Sequence, residues 1–142
     1  MAFPDIHGFS KSHTGPYELQ MGDSIAALLR LFADRVPDSE SNTRVLELAS
    51  EPTRWSAGHA VFDEVRRRLL AAMNAKDGPR EWQHHFEESC CQAMYNATDP
   101  PDPFDPGSAF FVAGQAISLA RAVGVPVELV VVVLAPNTES RT

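Results

Sequence analysis

The chain has 142 residues, enough for one domain and too few for two, with 44% hydrophobic and 22% charged residues and a formal charge of -7. That acidity argues against a general nucleic-acid binder, which needs a basic face, and is compatible with a basic protein partner. The two cysteines, Cys90 and Cys91, are adjacent, a spacing that disfavours a disulfide between them, so a reducing, cytoplasmic setting is expected.

Residues 1–22 show no helical period and are punctuated by Pro4, Gly8, Gly15 and Pro16, which predicts an irregular N-terminal arm. They also lack the apolar run of a secretory signal. Asp23 is then the expected N-cap of a first helix. Its face is Ile25, Leu28, Leu29, Phe32 and Val36, and Pro37 ends it. A short second helix is expected over 41–49 with Val45, Leu46 and Leu48 inward, closed by Pro52.

The third helix, 56–74, has the clearest period. Val61, Val65, Leu69 and Met73 recur every four residues, and Phe62 and Leu70 widen the stripe. The triplet Arg66, Arg67 and Arg68 reads as a solvated face. Asp77-Gly78-Pro79 is a turn and cap for a fourth helix that runs to Asn96, with Trp82, Phe86, Cys90, Ala93 and Met94 as its apolar face. The segment 99–105 holds Pro100, Pro101 and Pro103. Serial prolines forbid helix and central strand, so a stiff connector is expected, with Phe104 tucked in and Asp105 as a cap.

A fifth helix follows from Asp105 or Ser108. Phe110, Phe111, Val112, Ala116, Ile117, Leu119 and Val123 leave it little polar surface, which predicts a central helix ended by Gly124. Residues 127–135 are ambiguous. The valines favour a strand, whereas Pro126 and Glu128 favour a short helix, toward which the balance leans. The expected fold is mostly α, a compact single-domain bundle of five or six helices over 23–135, with a flexible tail at 136–142. No apolar run is long enough to span a membrane.

Between Arg80 and Arg121 there is no lysine or arginine, while Glu81, Glu87, Glu88, Asp99, Asp102 and Asp105 fall in that window. An acidic face without internal neutralisation suits capture of a basic partner. Glu81, Glu87, Glu88, Asp99 and Asp102 are therefore the candidate partner-binding residues of a non-catalytic, bacterial-type protein of the immunity or antitoxin kind. A second possibility is a metal-binding protein or enzyme. The run His84-His85-Phe86-Glu87-Glu88 sets His84 and His85 four and three residues before Glu88, a helical spacing able to offer two ligands to one ion. Asp5, His7 and His13 form a weaker set. A third is a homo-oligomer joined through the apolar C-terminal segment.

No phosphate loop, dinucleotide fingerprint, nucleophile elbow or zincin motif occurs, and no cofactor is implied. Residues 117–130 have a helix–glycine–helix outline. Its reading positions would be Val127, Glu128 and Val130, which cannot pair with phosphates or guanine edges. The cysteines read as one buried and one boundary residue, out of reach of a histidine partner on the same helix.

Overall fold

The computed structural model describes residues 17–97 and 106–134. They form a helical bundle, and no strand occurs among them. The order is α1 (Tyr17–Phe32), α2 (Ser39–Ala49), a 3-10 helix (Pro52–Ala57), α3 (His59–Asn74), α4 (Gly78–Asn96), α5 (Pro106–Val123) and α6 (Val127–Leu134). The arm over 1–16, the connector with Phe104 and Asp105, and the tail over 136–142 lie outside the described residues.

α1 starts six residues earlier than Asp23. That residue is exposed within the helix and does not cap it. Met21 extends the stripe of Ile25, Leu28, Leu29 and Phe32, all fully buried, and the expected arm over 1–22 is helical from Tyr17 on. Gly22 lies where α1 crosses the second helix and the 3-10 turn. A Cβ there would sit 2.7 Å from the Ala49 carbonyl oxygen and 3.0 Å from the Trp55 ring. That ring is itself buried, and its indole N–H donates to Leu48 O at 2.8 Å. Pro52 therefore does not merely stop α2. It opens the 3-10 turn that inserts Trp55.

The hairpin of α3 and α4 rests on one tight turn. Lys76 adopts φ 56°, Asp77 N–H donates to Ala72 O at 2.9 Å, and Lys76 N–H donates to Met73 O at 3.1 Å. These are the two bonds of a Schellman ending. The Asp77 side chain immediately accepts from Arg80 N–H at 3.2 Å and caps α4, as its sequence predicts. The same ending recurs after α5, where Gly124 has φ 79° and Val125 N–H reaches Ala120 O at 2.9 Å.

α4 is the hub, packing against α1, α2, the 3-10 helix, α3 and α5. Its core contacts include the edge-to-face pair of Phe86 and Phe32, with ring centroids 5.4 Å apart. The sequence places α5 at the centre instead. In the structure α5 covers α4 with Val112, Ala113, Ala116, Leu119 and Ala120, while Phe111 is 53% exposed. The small residues Ala113, Ala116 and Ala120 lie on the buried side of α5, and its outward side carries Phe111, Gly114 and Arg121. Met73, Leu70 and Trp82 also face solvent, and Ala72 takes the inward place expected of Met73. The valine-rich segment is the helix α6, anchored by buried Val130 and Leu134 against α1 and α5.

Candidate functional site

α4 turns a polar row inward. Gln83, His84 and Glu87 are all buried, beside Phe86, Cys90 and Met94. An unpaired carboxylate in such a place is strongly disfavoured, so its ligation explains its presence. Glu87 Oε1 accepts from the Ser41 hydroxyl at 2.5 Å and lies 2.9 Å from His84 Nδ1, while Oε2 accepts from Gln83 Nε2 at 2.8 Å. On the other side of the imidazole, His84 Nε2 is 3.5 Å from Asp38 Oδ2.

Asp38 joins three helices. Its side chain caps α2 by accepting from Ser41 N–H at 3.1 Å, and Arg68 Nη1 of α3 donates to it at 2.7 Å. Its main chain is clamped by Gln83 of α4. Burial alone would raise the Asp38 pKa. The Arg68 and Ser41 hydrogen bonds and the charges of Arg68 and His84 outweigh it and hold the group below its ordinary value of 3.8. Arg68 also binds Glu64 and Glu40, and the Glu64 bond comes first among the causes that raise its own pKa. Arg68 is thus a bridge between helices, contrary to its reading as part of a solvated face. An open cavity of about 370 Å³ reaches this cluster, lined by Asp38, Arg68, Asp77, Arg80 and His84 over a floor of alanines.

The expected acidic face is partly dismantled by these contacts. Glu87 is a core residue with no surface to offer a partner, because Ser41, Gln83 and His84 enclose it. Glu88 is neutralised across the hairpin by Arg66, whose Nε is 2.9 Å away and whose guanidinium also stacks on Phe62. Glu81 remains near the surface, 3.8 Å from His85 Nε2. Asp99 and Asp102 lie outside the described residues.

The alternative ligand set does not converge. His84 turns inward to Asp38 and Glu87, His85 turns toward Glu81, and Glu88 toward Arg66. Asp38 and Glu87 approach opposite nitrogens of one imidazole and so cannot share an ion with it. Among the described residues no group of three or more His, Cys, Asp or Glu side chains is arranged to hold a metal. Asp5, His7 and His13 lie outside them. Both cysteines are buried, including the one expected at the boundary. Burial, then the neighbouring charges of Cys91 and Glu87, pushes the Cys90 thiol up, and burial with Glu87 and Glu88 pushes Cys91 up to about 12. Thiols so held are poor nucleophiles.

The residues that sequence reasoning missed are Asp38, Ser41, Arg68 and Gln83. The one available signal was spacing. Gln83, Glu87 and Cys91 recur every four residues beside the apolar face of α4, which placed the glutamate inward although its charge read as outward. No described helix is long and apolar enough to cross a membrane. Comparison with family models, with curated proteins and with solved structures finds no match.

Proposed function

We propose that this chain works by binding another protein, covering a basic surface in the manner of an immunity protein or antitoxin, and carries out no reaction of its own. The groups best suited to chemistry are engaged in holding the bundle. Both nitrogens of His84 face carboxylates, and Arg68 ties α3 to α2.

The observation that carries the reading is the outward apolar surface of the α3–α4 hairpin. Leu70 is 59% exposed, Met73 45% and Trp82 40%. Contiguous apolar patches are characteristic of contact surfaces, and Leu70 and Met73, three residues apart on α3, share one face of that helix. The net charge of -7 suits a basic partner, with Glu81 next to Trp82 in sequence and Asp99 and Asp102 in the segment that follows α4.

Affinity capture followed by association kinetics tests this. The wild-type chain is expected to hold a basic protein whose on-rate falls with salt. Leu70→Ser with Met73→Ser should abolish capture, and Asp99→Asn with Asp102→Asn should slow association at low salt. Arg67→Gln should not slow it, since Arg67 is exposed and cationic. Binding indifferent to both double variants, or no binding, refutes the proposal.

A further inference from the structure

The helix α6 has the composition of a strand. Val127–Leu134 contains five valines, two leucines and one glutamate, with no proline or glycine. β-branched side chains lose χ1 freedom against the preceding helical turn and pack well on a pleated surface. An eight-residue helix is also too short to persist in water without tertiary support. That support comes from α1 and α5, through buried Val130 and Leu134 and the half-buried Val127 and Val133. Meanwhile Leu129 is 45% and Val132 70% exposed. Pro126 and Glu128 start the helix, and packing holds its valines there against their β preference.

We infer that residues 127–134 are a self-association segment, which pairs as a β-strand with the same segment of a second copy once α6 leaves α1 and α5. The alternation of an extended chain sorts the eight side chains into two faces. Val127, Leu129, Val131 and Val133 make one face, wholly apolar. Glu128, Val130, Val132 and Leu134 make the other, which carries the only charge. A stack of such strands buries the first face as a dry, interdigitated seam and leaves the second to bear Glu128. The partner is therefore another copy of this chain, and the contact is made by main-chain hydrogen bonds.

The two exposed positions separate this state from the native one. In α6 both Leu129 and Val132 face solvent, so a lysine at either leaves native packing in place. In the strand, Leu129 lies in the dry seam while Val132 shares the face of Glu128. The full chain is incubated at the denaturant concentration where α6 is released, and growth is followed by thioflavin fluorescence. Fibre diffraction and hydrogen exchange are then applied to the product. Expected are a reflection at about 4.7 Å, an exchange-protected core over 127–134, a lag lengthened at least about tenfold by Leu129→Lys, and a smaller effect of Val132→Lys. Amorphous aggregates, a protected core elsewhere, no assembly, or equal growth of both variants overturns the inference. So does a native dimer that Leu129→Lys dissociates, because that would assign the segment to helix-on-helix contact.

Discussion

The side chain of Gln83 pairs in both directions with the main chain of Asp38. Its Oε1 accepts from Asp38 N–H at 3.1 Å and its Nε2 donates to Asp38 O at 2.8 Å, all of it buried. The amide group thus does for the entry to α2 what a neighbouring strand does in a sheet. Its Nε2 also donates to Glu87, so one side chain serves two otherwise stranded groups.

Gln83→Ala is accordingly expected to destabilise the fold by about 2–4 kcal/mol, since it strands a buried N–H and weakens the ligation of Glu87. Gln83→Glu is expected to be as harmful, because it sets a second carboxylate beside Glu87. Urea denaturation checks both. A loss below about 0.5 kcal/mol for Gln83→Ala would show that the clamp is dispensable.

Arg68→Met should cost about 2 kcal/mol at neutral pH by leaving Asp38 without its closest cation. The cost depends on pH in a defined direction. A carboxyl whose folded pKa lies below its unfolded value stabilises the fold above the unfolded value, and loses that contribution as pH falls through the folded one. Asp38 is held below 3.8, and Glu64 below 4.5 chiefly by its hydrogen bond to Arg68. The difference between wild type and variant is therefore full above about pH 4.5 and shrinks as pH drops below about 3.8. Denaturant midpoints at a series of acidic pH values measure it.

Cys90 and Cys91 should resist an aromatic disulfide reagent at pH 8, because burial raises both thiols and bars access. The rate is expected to be at least about 100-fold below that of the urea-unfolded chain, which should titrate both thiols. Rapid labelling of either cysteine in the native protein would contradict its buried placement.

Lys76→Gly should stabilise the chain by about 1 kcal/mol. The lysine is exposed and sits at φ 56°, so the substitution removes backbone strain and no buried contact. Thermal unfolding should show a raised midpoint with unchanged helical content.

Periodicity in the sequence found α3, α4 and α5 because Val65, Leu69, Phe86, Cys90 and Val112 repeat at helical spacing and no proline interrupts them. Turn chemistry found Asp77 and Gly124 for the same local reason. What stayed hidden was set by distant partners. Glu87 reads as a surface charge until Ser41, 46 residues earlier, supplies its hydroxyl. The start of α1 was missed because residues 17–22 are too few to show a helical period, and what Gly22 does there depends on distant partners, since its lack of a side chain lets α1 approach Ala49 and Trp55. The outward turn of Leu70 and Met73 was equally illegible, since exposed and buried leucines look alike in a period.

Asp77 closes α3 with its main chain and opens α4 with its side chain, so the hairpin contains no slack residue. Every bond at that corner is local, while the clamp between Asp38 and Gln83 spans 45 residues. Loop closure over the longer span costs more entropy and is repaid only late. The two helices are therefore expected to nucleate folding as a pair, onto which α2 docks. Asp77→Ala should slow refolding, whereas Gln83→Ala should mainly speed unfolding, a partition that the two limbs of a chevron plot separate.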